Sequence, residues 1–286
     1  MTRLLSIITL IVLVLLITAN IIQNHGQVCK DHIPRSQEIA FEIKEDLLRG
    51  RHDAVIEKVT ETLKNHPLSA DILGMRALSH ALKGDFENAR EDSDLASYKN
   101  PGTDCGWANF ARGLIYYNDG NPEKALDEFG SATQLGAECS LLYSYIASAE
   151  FDLNIIDRSL IDCEKSLERE SENLAAQLVK VKVNLVKLKN QRALYLVRSI
   201  LEKDPENVEA RLLELISMSK LDGEKIPGKK IEDLLSSIEP QIKRLENDNS
   251  YGIKRKKAGL YATRAFLYRF KNLQASAIHE FEKSLD

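Results

Sequence analysis

Between Trp107 and Leu135, apolar side chains recur at helical spacing in two runs, WANFARGLIYYN and PEKALDEFGSATQL, separated by the polar turn Asp119-Gly120-Asn121. The pattern predicts two amphipathic helices. Gly113 is small where the two must approach, Gly120 permits the positive φ that ends the first, and Pro122 suits the first position of the second. Ala125 and Ala132 mark the buried stripe of that second helix, while Tyr116, Leu126 and Phe129, like Phe86 and Phe281 elsewhere, fall where side chains pack between helices.

The same layout returns along the chain. Ile43, Gly50, Val55 and Pro67 repeat it, then Ala77, Gly84, Ala89, Ala96 and Pro101, where KGDFENARED matches DGNPEKALDE in kind and spacing. After the founding unit come Ala147, Asn154, Ser159 and Ser166 with a turn at Ser171, then Val181, Ala193 and Ile200 with a turn over 204–207. Asn154 tolerates the left-handed conformation that Gly120 supplies. The fifth copy has Leu188-Lys189-Asn190 where a turn glycine is expected, and Arg76 and Arg112 stand at apolar places in their first helices. A sixth first helix is expected near Glu209. A Gly- and Lys-rich insertion over 222–230 displaces its partner, so that 231–245 resumes as an amphipathic helix broken at Pro240. The last copy runs from Ala258, with Ala265, Asn272, Ala277, Phe281 and Ser284 in phase.

Two helices per roughly 34 residues, a small residue at their crossing, an alanine in the second helix and a proline at the end resemble the tetratricopeptide repeat. The resemblance implies an all-α fold, an α-solenoid in which antiparallel helix pairs stack into a right-handed superhelix, here with an N-terminal hydrophobic helix. Five repeat-like units are expected at 36–69, 70–103, 106–139, 140–173 and 174–207, a degenerate one with its insertion at 208–257, and a terminal one at 258–286. A single pair cannot bury its apolar face, so stability is shared along the stack.

The resemblance also implies that first helices line a concave groove. Its lining would include Trp107, Phe110, Leu114 and Tyr117 from one unit and Leu141, Ser144, Ser148 and Phe151 from the next. That aromatic, mostly neutral surface suits an apolar helix or extended segment of a protein or peptide partner. In chaperone-binding members a cluster of Lys, Asn and Arg holds a terminal carboxylate. The matching places here are Ala40, Lys44, Gly74, Leu78, Phe110 and Leu114, and with Lys44 as their one cation no such clamp is expected.

The amino terminus stands apart. Leu4 to Ile22 contains only Ser6, Thr9, Thr18 and Asn20 as polar residues and would rise about 28 Å as a helix, enough to cross a bilayer. We expect 1–24 to be an uncleaved membrane anchor in preference to a secretory signal, and 25–35 a stalk containing Gly26 and Pro34. Charges flanking the segment nearly tie, with Arg3 on one side and Lys30 and Arg35 on the other. The expected arrangement is a single pass with the repeats outside the cytoplasm, periplasmic if bacterial, the rival being release after signal cleavage. Cysteine usage argues the other way. Cys29, Cys105, Cys139 and Cys163 have no CxxC spacing, Cys105 and Cys139 sit in equivalent places on packed helices too far apart to bond, and free thiols suit a reducing compartment.

Chemistry finds little support. A net charge of -4 gives no reason to expect nucleic acid as partner. His25, His32, His52, His66, His80 and His279 are scattered, and neither HExxH, GxGxxG nor GxxxxGKS occurs, so no enzyme, metal, cofactor or small-molecule substrate is expected. His52 and His66 read as satisfied surface imidazoles and Cys163 as a small buried hydrophobe. The run Lys254 to Lys257, with Lys229 and Lys230, is nearly cancelled by Glu232, Asp233, Glu239, Glu246 and Asp248 and reads as a solvated loop and helix start. These observations point to a membrane-anchored scaffold that binds a partner in the groove and supports complex assembly. The alternative is a holdase-type chaperone or secretion accessory with broad clients.

Overall fold

The computed structural model describes residues 35–65, 70–99, 105–221, 226–246, 254–271 and 274–285. They form fourteen α-helices. In chain order these are α1 (Arg35–Leu48), α2 (His52–Asn65), α3 (Ala70–Leu82), α4 (Phe86–Lys99), α5 (Gly106–Asn118), α6 (Pro122–Gln134) and α7 (Ser140–Asp152). They continue as α8 (Ile156–Arg169), α9 (Leu174–Val186), α10 (Asn190–Lys203), α11 (Val208–Ser219), α12 (Gly228–Glu246), α13 (Lys254–Phe270) and α14 (Gln274–Leu285). Seven helix pairs result, in the order the repeat pattern predicts. The segment Leu4 to Ile22, residues 25–34 of the stalk, His66, Pro67, Pro101, Asn272 and the side chains of Phe281 and Ser284 lie outside the described residues, while Arg35, expected in the stalk, begins α1. Among the described residues no helix is long and apolar enough to cross a membrane.

Each of the first five pairs closes through one left-handed residue: Gly50 at φ 72, Gly84 at 82, Gly120 at 75, Asn154 at 61 and Leu188 at 57. Leucine is the exception to the chemistry, since its Cβ crowds the carbonyl in that region. At Gly113 the need for a small residue is steric. A Cβ built there would stand 2.3 Å from Cε1 of Phe129, whose ring has no exposure at all. Asparagines at the starts of α6, α9 and α11 cap free amides, Asn173 accepting from the Ala176 amide at 3.1 Å and Asn207 from Ala210 at 2.9 Å.

Pro240 does not break its helix. α12 runs unbroken from Gly228 to Glu246, and its first turn already takes up the end of the expected insertion. Pro240 is on the exposed side, while Ile231, Leu234, Ile238, Ile242 and Leu245 bury the opposite stripe against Leu215, Leu260 and Leu267. That packing offsets the lost backbone bond.

Arg76 and Arg112, misfits by the apolar pattern, belong to a polar seam between the helices of a pair. Arg76 grips Asp92 with Nε at 2.7 Å and Nη2 at 2.6 Å. Arg112 bonds Glu128 at 3.2 Å and Ser97 at 2.8 Å, and Arg264 bonds Glu280 at 2.8 Å and Glu239 at 3.0 Å. Asp92, Glu128 and Glu280 lie sixteen residues after their arginines, and Glu42 with Lys58 repeats the spacing with reversed charge.

First helices of consecutive units touch directly from α1 to α11, whereas consecutive second helices stay further apart. The array therefore curves towards its first helices, which form the inner wall.

Candidate functional site: the inner wall of first helices

Half of the expected groove lining is not available to a partner. Phe110 has no exposure, lying edge-on to Phe129 at 5.8 Å and to Tyr145 at 6.1 Å between ring centres. Leu114 and Ser144 are buried too, Ser144 Oγ donating to the Leu141 carbonyl at 2.7 Å. Trp107 keeps 7% exposure, with Lys44 Nζ 5.7 Å above its ring. Lys44 comes from unit one and Trp107 from unit three, so the inner wall closes on itself there.

Gly74 explains the closure. A Cβ at that position would meet Cys105 Sγ at 2.6 Å and the Ala108 amide nitrogen at 2.7 Å, so α3 and α5 are in near-backbone contact. Side chains that would face an open groove become core between units. The glycine is visible in the sequence, but only its neighbours in space reveal what it permits.

The accessible remainder is Tyr117, Leu141, Ser148 and Phe151, all half-buried. Ser148 spends its hydroxyl on the Ser144 carbonyl at 2.8 Å. Tyr117 stands in the last turn of α5, Phe151 in that of α7, and Val186, 48% exposed, ends α9. Further along the wall Leu212 and Ile216 of α11 are half-buried. The repeat phase places Leu212 and Ile216 on this wall at the places of Phe110 and Leu114, and extending the comparison two units further would have found them, whereas the unit-five counterpart of Tyr117 and Phe151 is the buried Leu185, with Val186 one place out of phase.

The seams carry titratable groups of their own. In unit four Ile146 takes the place of the arginine, and Asp162 faces Glu150 instead. Glu150 is fully buried, neither carboxylate oxygen accepts a hydrogen bond, and Arg158 Nε approaches Oε1 at 3.1 Å. Burial first, then the charge of Asp162, pushes its pKa up to about 7. Two facing carboxyls could suggest acid–base chemistry, yet they lie inside the α7–α8 seam where no substrate reaches.

The thiols are equally quiet. Cys105 and Cys163 are buried and free, and burial raises each to about 12. Cys139 is free as well, its sulfur accepting from the Leu142 amide at 3.4 Å. His52 departs from the expected satisfied imidazole: it is half-buried at the start of α2, its Nδ1 has no partner, and burial lowers its pKa. Among the described residues no group of three or more His, Cys, Asp or Glu could hold a metal ion.

No protein-family model matches the chain, and no curated protein sequence matches it. Solved structures do. A chain of the APC/C hetero-tetramer Cut9-Hcn1 superposes with a TM-score of 0.56 at 15% identity, over 86% of this chain and 45% of that one. This chain thus spans under half the length of that relative. A tetratricopeptide repeat protein from Parabacteroides merdae ATCC 43184 superposes at 0.50 and 14% identity, over 87% of this chain and 91% of its own. Helix order, turn geometry and these likenesses agree on one fold, the all-α solenoid of tetratricopeptide repeat proteins.

Proposed function

We propose that the chain is a docking scaffold without chemistry of its own, holding an apolar helix or extended segment of a protein partner against its inner wall. The observation that supports this is the pair of accessible apolar side chains at equivalent places near the ends of successive first helices, Tyr117 and Phe151. Leu141 beside them and Leu212 and Ile216 further along continue the surface, so the seat lies towards units three to six instead of centring on Trp107. Large side chains held on rigid helices give contact area at low entropic cost.

The reading keeps Leu4 to Ile22 as an anchor that holds the array at a membrane, with the repeats outside the cytoplasm. Its support is the length and apolarity of the segment. Resistance to carbonate extraction supports retention, and a mature chain beginning near Asn20 overturns it.

The seat is tested by replacing Tyr117 and Phe151 with alanine in the full chain and comparing co-purified proteins. The expected result is loss of one or two specific proteins with helicity unchanged. Unchanged capture moves the seat off the inner wall, and a broad set of unfolded clients replaces the scaffold with a holdase.

A further inference from the structure

Residues sixteen apart pair a cation with an acid across one seam after another: Lys58 with Glu42, Arg76 with Asp92, Arg112 with Glu128, Lys230 with Glu214 and Arg264 with Glu280. Unit four keeps the acid, Asp162, but has Ile146 in place of the cation. Four residues after Ile146, one turn further along the same face of α7, stands a second acid, Glu150. The equivalent place in unit two holds His80, whose Nε2 lies 4.0 Å from Asp92, so unit two offers a ring nitrogen where unit four offers a carboxyl.

Nearby cations do not replace the missing arginine. Arg158 Nε comes within 3.1 Å of Glu150 Oε1 without making a hydrogen bond, from a side chain that is 72% exposed. Lys165 Nζ is engaged by Asp162 Oδ1 at 2.8 Å. Lys180, which faces this region from α9, turns to Glu164 at 3.5 Å, and on the side of α5 and α6 Arg112 is held by Glu128. Cys163, next to Asp162, is a buried thiol and stays neutral. Glu150 and Asp162 are thus two buried carboxyls within hydrogen-bonding reach of each other. With one proton between them the first donates to the second, whereas doubly ionised they repel with little water to screen them.

The same seam underlies the partner seat. Phe151 directly follows Glu150 in the last turn of α7 and packs, beside Ile156 and Leu160 of α8, against the core that contains Ala147 and Cys163. Ionising Glu150 therefore strains the packing that holds Phe151. We propose that Glu150 and Asp162 share one proton that stands in for the missing arginine, and that its loss unlatches α7 from α8, which makes unit four a pH-sensitive joint beneath Phe151. Below neutral pH the joint is closed and the seat is formed; above it the joint loosens and a partner is released. The effect on a partner rests on the proposed seat, whereas the shared proton and the joint do not.

Hydrogen–deuterium exchange of the full chain in mild detergent, read by mass spectrometry with no partner present, is the test, with circular dichroism as a check on helicity. Referring α7 and α8 to α5 and α6 at the same pH cancels the intrinsic pH dependence of exchange. The expected result is that opening of α7 and α8, so referred, rises about ten-fold or more between about pH 5.5 and about pH 8. Glu150→Gln and Asp162→Asn each supply a donor that does not titrate, and both should abolish the rise. Ile146→Arg, which gives this seam the arginine of its neighbours, should keep α7 and α8 closed at the higher pH. A rise common to α5 and α6 overturns the proposal, as does one that persists in Glu150→Gln. Persistence in Asp162→Asn overturns the sharing, because burial of Glu150 by itself then holds the proton. Partner capture indifferent to pH, with exchange behaving as expected, moves the seat and leaves the joint standing.

Discussion

Units three and four stand side by side on the same two-helix frame and fill its seam in opposite ways. In unit three Arg112 satisfies Glu128, with Asn109 donating to the same carboxylate at 3.0 Å. In unit four the arginine is Ile146, and Glu150 with Asp162 leaves a buried carboxyl that accepts no hydrogen bond. The fold survives both because small residues at the crossing and the turn set the frame. What the seam contains decides how each unit responds to pH and to substitution.

The largest effect should come from the frame itself. Gly113→Leu forces a side chain into the Phe129 ring and should cost about 3 kcal/mol, read by urea unfolding. Gly130 in the same unit is the contrast, since a Cβ there meets nothing within 4 Å, and Gly130→Ala should be neutral or gain up to about 1 kcal/mol. Equal losses at both positions would mean that the α5–α6 crossing is misplaced.

Seam substitutions should then diverge in sign. Arg76→Met removes both bonds to Asp92, a side chain only 8% exposed, and should cost about 2 kcal/mol. Glu150→Leu removes a buried carboxyl that accepts no hydrogen bond and whose ion-pair partner, Arg158, is largely exposed, and should gain about 1 kcal/mol at neutral pH. If both destabilise alike, the two seams are not different after all.

The pH dependence sharpens the same contrast. A Glu150 pKa raised from 4.5 to about 7 means that the unfolded chain loses this proton first, so stability falls as pH rises between those values and stays lower above them. The expected decline is on the order of 2 kcal/mol, and it should vanish in Glu150→Gln. Asp46 behaves oppositely, because hydrogen bonds from Lys58 and Arg51 lower its pKa. Its contribution is present above its ordinary value of 3.8 and lost as pH falls through the lowered one. Chemical denaturation of the two proteins across pH 4 to 8, roughly the span of the decline, isolates the Glu150 part.

The smallest effect concerns the turn that lacks glycine. Leu188→Gly should raise stability by about 0.5 kcal/mol, since it relieves a left-handed leucine that is 76% exposed and contributes little packing. Asn154→Gly, at a residue already suited to that region, should change less.

Much of the frame was legible before any coordinates. Ala77, Gly113, Ala147 and Val181 announced the crossings, and Gly84, Gly120 and Asn154 the turns. The seam was legible too, but in a different code: Arg76 and Arg112 break the apolar stripe, and an acid sixteen residues on explains both. Pro240 misled because a local rule was applied where a fully buried stripe overrides it. The inner wall was the least readable part. Phe110 and Tyr117 occupy similar places in the repeat pattern, yet one is sealed in the core and the other is open in part.

Sequence alone determined the repeating pair, its small crossing residue and its left-handed turn, because each depends on contacts within about 34 residues of chain, where helical period and glycine geometry leave few alternatives. Tertiary structure decided which wall residues remain accessible. That outcome depends on how closely neighbouring units approach, at Gly74 against Ala108 and at Lys44 over Trp107, and such distances are set by packing between units that no single repeat encodes.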